Sequence, residues 1–150
     1  MILRVMIVED EDMIRNGLVK TLPWADMGCT VIGSAGDGKS GLEQIIERRP
    51  DVVITDIRMP EIEGFEIMER SLAVYRFHII IFTSYAEFDY AQKAISMHAY
   101  DYLLKPLDEK RLAELLARIR ETEEPEEQLE TPGSFSAEEL LKRVAYTDEY

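Results

Sequence analysis

The first 120 residues alternate between short apolar runs and longer segments in which apolar residues recur every three or four positions. The short runs predict strands, and the longer segments predict amphipathic helices. The run before Asp56 is apolar without alternation, so it predicts a strand buried on both faces, as in a parallel sheet. The last segment, which Asp108 should cap, predicts a helix with one apolar stripe made of Leu112, Leu115, Leu116 and Ile119.

Ten such elements follow one another as strand, helix, strand, helix. Strands are predicted at 1–8, 29–34, 51–55, 77–82 and 102–104, and helices at 12–21, 40–49, 65–72, 87–97 and from 109 to about 120. This alternation favours a parallel sheet with helices on both faces and right-handed crossovers. The sequence therefore predicts an α/β fold with a doubly wound, five-stranded, flavodoxin-like sheet in the order 2-1-3-4-5.

The distribution of charge predicts three parts. Residues 121–150 hold ten of the 30 acidic residues but only two of the 17 basic ones. We predict a domain at 1–120, an acidic linker at 121–135 that contains Pro125 and Pro132, and a short helical tail at 136–150. The tail begins with a capping box at Ser136. Its small apolar face is compatible with docking on the domain, with pairing to a second copy, or with the start of a connection to an output domain.

Composition excludes several classes of function. A net charge of −13 argues against direct nucleic-acid contact by these residues, because phosphate backbones repel an acidic surface. The single cysteine, Cys29, excludes an intrachain disulfide and a cysteine-based zinc site, and its neighbours predict a small buried residue at a strand start. No apolar run has the length of a membrane helix and the N-terminus has no signal-peptide pattern, so we expect a cytoplasmic protein without membrane contact.

Several chemically active residues stand at predicted strand ends. In the predicted order, Glu9 and Asp10 after the first strand and Asp56 after the third reach one crevice. Three clustered carboxylates repel one another unless a cation binds them, and oxygen ligands indicate Mg²⁺. Each acid alone also fits a structural role at a helix start or as a turn cap.

Thr83 and Lys105 end the fourth and fifth strands at the same edge. A threonine hydroxyl can donate to a phosphoryl oxygen, and a lysine adds a positive charge. Taken singly, Thr83 could be an ordinary strand residue and Lys105 an ordinary surface residue. Together with the acids they suit a carboxylate that accepts a phosphoryl group.

These motifs lead to a family. Val8-Glu9-Asp10, Asp56 to Pro60 with Gly64, Thr83-Ser84 and Tyr102 to Pro106 together resemble the receiver domain of two-component response regulators, over about residues 2–120. The resemblance implies a Mg²⁺-dependent signalling switch that takes a phosphoryl group from a sensor histidine kinase. It implies a regulatory domain, not an enzyme acting on other substrates.

The resemblance also implies a role for each matching residue. Asp56 would be the phospho-acceptor, and Lys105 would pair with it and then with its phosphoryl group. A rearrangement of Thr83 and Tyr102 would alter the face formed by the fourth helix, fifth strand and fifth helix, where phosphorylation would favour a homodimer. The metal ligands would be Glu9, Asp10, Asp56 and the backbone carbonyl of Arg58.

Two positions depart from the family pattern. Glu9 stands where aspartate is commoner, so its longer side chain is expected to reach the metal through water. His98 stands where the fourth helix often ends with glycine. We interpret His98 as a left-handed helix cap rather than a catalytic histidine.

A longer match indicates a subfamily. Residues 84–95, with Pro23-Trp24, resemble receivers of regulators that end in an AraC-type helix-turn-helix domain. DNA would then be bound by a C-terminal domain outside these 150 residues, and the chain would control transcription indirectly. The aromatic residues Phe88 and Tyr90 would also be explained by simple helix packing.

Two other functions compete with the signalling switch. Phosphatases with an aspartyl nucleophile and Mg²⁺ usually carry a general acid two residues after the nucleophile, a position held here by Arg58, which cannot serve. A phosphorylation-independent interaction module with a receiver fold is the second alternative. The presence of the acceptor, the metal acids, Thr83 and Lys105 argues against that module.

Overall fold

The computed structural model describes residues 2–57, 64–84, 88–96 and 98–123, without the side chains of residues 64, 65 and 88–90. The strands are β1 (Leu3–Val8), β2 (Cys29–Ala35), β3 (Val52–Thr55), β4 (His78–Thr83) and β5 (Asp101–Leu104). The helices are α1 (Asp12–Thr21), α2 (Gly38–Arg48), α3 (Gly64–Leu72), α4 (Phe88–Ser96) and α5 (Glu109–Glu123).

All strand pairs of the sheet are parallel, and the strand order is β2-β1-β3-β4-β5. The predicted fold class and strand order are therefore confirmed. Because the strands are parallel, the loops that follow them meet at one edge, which we call the carboxyl edge. The opposite edge, where the strands begin, is the amino edge.

Two apolar layers cover the sheet. One joins β1, β3, β4 and β5 to α2, α3 and α4, and includes Met6, Ile45, Met68 and Ala91. The other joins the opposite face to α1 and α5, and includes Leu18, Leu112 and Leu116. β3 is buried along its whole length, as the unbroken apolar run predicts. These two layers fix the strands that carry the candidate site.

Local interactions set the helix ends. Asp37 caps α2 by accepting a hydrogen bond from the Ser40 amide at 2.8 Å, so α2 begins two residues earlier than predicted. Asp108 caps α5 in the same way through the Arg111 amide at 3.1 Å, as expected. His98 has a φ of 61° and lies just after α4, so its interpretation as a left-handed cap is confirmed.

The C-terminal part is described only as far as α5. This helix continues to Glu123, so its end includes the first three residues of the segment predicted as a linker. The remainder of that segment and the predicted tail at 136–150 lie outside the described residues. No helix in the described ranges is both long enough and apolar enough to cross a membrane.

Loop anchors at the amino edge agree with the sequence. Trp24 is buried, and its indole N–H donates to the Leu18 carbonyl at 2.8 Å, which fixes the loop after α1. Cys29 is buried at the first position of β2, as predicted. Burial raises the pKa of the Cys29 thiol to about 11, despite the opposing charge of Arg120.

Candidate functional site: an acidic pocket with one lysine

Asp56 is placed by the central strand. Its amide donates to the Val8 carbonyl of β1 at 3.0 Å, which continues the ladder one residue past the end of β3. One carboxylate oxygen accepts a hydrogen bond from the Ile57 amide at 2.6 Å, and the other accepts from Lys105 Nζ at 3.0 Å. The Asp56 side chain is only 6% exposed, so these partners take the place of solvent around its carboxylate.

Glu9 lies beside Asp56 at the end of β1. Its Oε2 accepts a hydrogen bond from the Glu11 amide at 3.1 Å. Its Oε1 forms an ion pair with Lys105 Nζ at 2.8 Å. Among the described residues, this buried oxygen has no hydrogen-bond partner.

The ionisation of Glu9 and Lys105 reflects this arrangement. Burial raises the pKa of Glu9, because desolvation outweighs its attraction to Lys105. Burial alone would lower the pKa of Lys105, but the carboxylates of Glu9 and Asp56 raise it by more, so the net shift is upward. One ammonium therefore serves two buried carboxylates, and Glu11 Oε1 lies 3.6 Å from the same nitrogen.

Asp10 completes the acidic group. Glu9, Asp10 and Asp56 each offer a carboxylate oxygen, and these oxygens lie within 4.8 Å of one another. Asp10 is half-buried, whereas the other two are buried. An all-oxygen set in which a buried Oε1 accepts no hydrogen bond from the described residues fits a hard divalent cation such as Mg²⁺. The clustering predicted for these acids is thus present in the structure.

Thr83 and Tyr102 lie on neighbouring strands. Thr83 is buried at the end of β4, and its carbonyl accepts a hydrogen bond from the Lys105 amide at 2.9 Å. Tyr102 is buried on β5 opposite Ile81. Side chains two residues apart on a strand share a face, so Thr83, Ile81 and Tyr102 face the same layer. Arg58, the expected source of a backbone ligand, lies outside the described residues.

The sequence did not reveal the partners of two polar side chains, Asp101 and Arg15. Asp101 is fully buried, and its carboxylate accepts from Arg111 Nη2 of α5 at 2.6 Å and from the Tyr102 amide at 2.6 Å. Arg15 of α1 donates to the Glu9 carbonyl at 2.8 Å. The only sequence signal was an acid and a base three positions apart, Asp12 with Arg15.

Comparison with known proteins decides the family. The family model described as "Response regulator receiver domain" matches residues 5–117. This chain belongs to the response regulator receiver family. The matched range includes the acids after β1, Asp56, Thr83 and Lys105, which the fold gathers at the carboxyl edge.

Curated relatives agree with this family. "Transcriptional regulatory protein HptR" of Staphylococcus aureus strain N315 is 35% identical over 150 residues, covering 98% of this chain and 59% of the relative. The HptR of strain bovine RF122 is 37% identical with the same coverage. The chain thus spans about 59% of the length of these relatives.

Solved receiver structures have the same fold. The REC domain of AraT, a response regulator from Geobacillus stearothermophilus, is 37% identical with a TM-score of 0.76, over 85% of this chain and all of that one. A DNA-binding response regulator of the LuxR family from Staphylococcus aureus is 26% identical with a TM-score of 0.70, over 79% of this chain and 98% of that one. The receiver fold is therefore established for this chain.

Proposed function

We propose that this receiver domain is a phospho-acceptor switch in which Asp56 takes a phosphoryl group from a sensor histidine kinase with Mg²⁺. The observation that carries the proposal is the pairing of buried Asp56 with Lys105 at 3.0 Å beside two further acids. This arrangement presents a nucleophilic carboxylate, a countercharge and cation ligands at one point.

The transfer would proceed at one carboxylate oxygen. That oxygen attacks the phosphorus of a phosphohistidine, a P–O bond forms as the P–N bond breaks, and the imidazole leaves with the electron pair. Glu9, Asp10 and Asp56 would hold Mg²⁺, which when bound would offset the charge on the phosphoryl oxygens. Lys105 Nζ, already on Asp56, would move to a phosphoryl oxygen.

The response would pass through Thr83 and Tyr102. Thr83 ends β4 next to Lys105, and Tyr102 packs in the same layer as Ala91 and Ala94 of α4. A hydrogen bond from the Thr83 hydroxyl to the phosphoryl group would favour one of two arrangements of this layer. The face built by α4, β5 and α5 would change, and two copies of the chain would then associate through this face.

The output would be transcription. The curated relatives are named transcriptional regulatory proteins, and the chain spans only about 59% of their length. We propose that an AraC-type DNA-binding domain outside these residues carries the output, with the residues between α5 and 135 as linker and 136–150 as the start of the connection. The net charge of −13 is the reason to assign DNA contact to another part of the protein.

Acetyl phosphate, as a small phosphoryl donor, tests the acceptor without the kinase. Intact mass spectrometry of the wild type should show a gain of one phosphoryl group with Mg²⁺, and no gain with EDTA. Asp56→Asn should gain nothing under either condition. A wild type that gains nothing would favour the phosphorylation-independent module, and an Asp56→Asn variant that still gains the group would move the acceptor elsewhere.

Size-exclusion chromatography of the same samples tests the switch. The phosphorylated wild type should elute as a dimer and the unphosphorylated protein as a monomer. Thr83→Ala should still take up the phosphoryl group but dimerise less, because the hydroxyl that would donate a hydrogen bond to the phosphoryl group is absent. Equal dimerisation of Thr83→Ala and wild type would contradict the role of Thr83.

A further inference from the structure

Arg15 links three parts of the carboxyl edge. Its Nη1 donates to the Glu9 carbonyl at 2.8 Å, and its Nη2 pairs with Asp12 Oδ1 at 2.6 Å. The guanidinium also packs over Gly36, where a Cβ atom would lie 2.6 Å from Nη1. The Arg15 side chain is only 18% exposed, so it is held among these neighbours.

The Glu9 carbonyl belongs to the peptide group that joins Glu9 to Asp10. Because a peptide group is planar, holding its oxygen fixes the plane on which the two acidic residues are mounted. The Glu9 amide, in the preceding peptide group, is held by the Ala35 carbonyl of β2 at 2.9 Å. The backbone of Glu9 is therefore fixed from the sheet on one side and from α1 on the other.

We propose that Arg15 is a positioning residue for the cation site, which orients the Glu9–Asp10 peptide group and thereby raises the affinity for Mg²⁺. The inference rests on the proposed function, since it concerns the same site. Residues that hydrogen-bond to metal ligands commonly raise metal affinity, because they orient the ligands before the ion binds. Here the partner acts on the backbone between two acids rather than on a side chain.

Charge repulsion acts in the opposite direction. A positive charge close to a cation site repels the cation and would lower its affinity. The Arg15 charge is offset by Asp12 at 2.6 Å, and Asp12 is 80% exposed, so solvent screens the pair further. The directional hydrogen bond to Glu9 has no such offset. Positioning should therefore outweigh repulsion. Removing Arg15 would lower the affinity for Mg²⁺ if positioning dominates and raise it if repulsion dominates.

Gly36 provides a second way to perturb Arg15. Its φ lies outside the left-handed region, so alanine can adopt the same backbone. The new Cβ would displace the guanidinium, which is the far end of a flexible side chain, without changing any charge. Gly17 of α1 is the matched control, because a Cβ there meets nothing within 4 Å.

The test is isothermal titration of the metal-free protein with Mg²⁺ alone. Arg15→Ala should bind Mg²⁺ about tenfold more weakly than the wild type. This is the lower end of the effects seen when a hydrogen-bond partner of a metal ligand is removed. Arg15→Lys keeps the charge but cannot span both partners, so it should also bind more weakly. Gly36→Ala should fall between wild type and Arg15→Ala, and Gly17→Ala should match the wild type.

The double variant Arg15→Ala/Gly36→Ala separates positioning from general damage. If Gly36→Ala acts through Arg15, the double variant should bind like Arg15→Ala alone. Fully additive losses would overturn that route. Unchanged or tighter binding by Arg15→Ala would overturn the positioning role, because repulsion would then dominate. If Arg15→Ala fails to fold, the affinities of Gly36→Ala and Arg15→Lys decide between positioning and repulsion in its place.

Asp10→Asn distinguishes failure of this inference from failure of the proposed function. A wild type that binds no Mg²⁺, or binds it no better than Asp10→Asn, would overturn both the cation site and the role of Arg15. A wild type that binds well and loses affinity in Asp10→Asn, but not in the Arg15 and Gly36 variants, would overturn the role of Arg15 alone.

Discussion

Charged side chains have different kinds of partners at the two edges of the sheet. At the amino edge, the Arg4 guanidinium donates to the carbonyls of Arg48 and Arg49 at 2.7 Å each, where α2 ends. The Asp51 carboxylate accepts from the Arg4 amide at 2.9 Å. Both charges thus have backbone partners that stay in place.

At the carboxyl edge, the charges face one another. Glu9 and Asp56 are buried side by side, and Lys105 is shared between them. One oxygen of Glu9 has no hydrogen bond among the described residues. Buried charge that the protein compensates only in part is costly, and a bound cation can complete the compensation.

One fold can therefore use its two edges for different purposes. At the amino edge, the backbone partners of Arg4 and Asp51 stabilise the fold. At the carboxyl edge, Asp56 and Glu9 also share a side-chain partner, the Lys105 ammonium, which can exchange one contact for another. We expect substitutions at the amino edge to change stability alone, and those at the carboxyl edge to change stability in a manner that depends on Mg²⁺.

The largest effect is expected from Lys105→Met. Removing the shared ammonium leaves two buried carboxylates without their cation, which should lower the free energy of unfolding by about 3 kcal/mol without metal. Saturating Mg²⁺ should recover part of the loss. Urea unfolding with EDTA and with Mg²⁺ measures both, and Lys110→Met is the control because Lys110 is exposed on α5. A loss that Mg²⁺ leaves unchanged would contradict the proposed difference between the edges.

Arg4→Met tests the amino edge. The loss of two hydrogen bonds to the end of α2 should cost about 1–2 kcal/mol, a moderate figure because Arg4 is exposed. The affinity for Mg²⁺ should stay at the wild-type value. The control is Arg76→Met, an exposed arginine near the same edge. A change in Mg²⁺ affinity would show that the two edges are coupled.

Glu9→Gln should stabilise the metal-free protein by on the order of 1 kcal/mol at pH 7, since it removes a buried charge. Burial raises the pKa of Glu9, so its ionisation costs stability above the ordinary glutamate pKa, and this cost grows as pH rises through the folded-state value. The advantage of Glu9→Gln should therefore vanish in acid.

Urea unfolding from acid to neutral pH in EDTA measures this difference. Glu43→Gln, at an exposed position of α2, should show no such pH dependence. Added Mg²⁺ should stabilise the wild type more than Glu9→Gln. A Glu9→Gln variant that is less stable than the wild type at pH 7 in EDTA would mean that the attraction to Lys105 exceeds the cost of burial.

The smallest effect concerns the reactivity of the Cys29 thiol at the amino edge. This prediction involves no change in stability. Because burial raises the pKa of its thiol to about 11, little thiolate forms at pH 8 and the native protein should react slowly with a disulfide reagent. Protein unfolded in guanidinium should react at the rate of a free thiol. Equal rates for native and unfolded protein would show that this edge opens easily.

Much of the fold could be predicted because its signals are local. The apolar run before Asp56, the stripe after Asp108 and the alternation of elements depend on neighbouring residues. General topological rules then leave few strand orders open, and the family resemblance favours the observed one. The gathering of Glu9, Asp10 and Asp56 then follows from parallel strands. The start of α2 lies two residues before the predicted one, because Asp37 caps the helix there.

The contacts that sequence could not supply are side-chain contacts across space. Nothing in the chain indicated that the Arg15 guanidinium would reach the Glu9 carbonyl, or that Arg4 would cap α2 from 44 and 45 residues away. The buried pair of Asp101 and Arg111 was missed for the same reason. Long polar side chains can reach many partners, and only the packed structure selects one.

Locating the phosphoryl group would test the proposed switch at its first step. Protein treated with acetyl phosphate and Mg²⁺ can be reduced with borohydride, which converts an aspartyl phosphate to homoserine, and then digested and sequenced by mass spectrometry. We predict homoserine at position 56 in the Mg²⁺ sample and at no position in the EDTA sample. Homoserine at another acidic residue, or at position 56 without any metal, would contradict the assignment of Asp56 as a Mg²⁺-dependent acceptor.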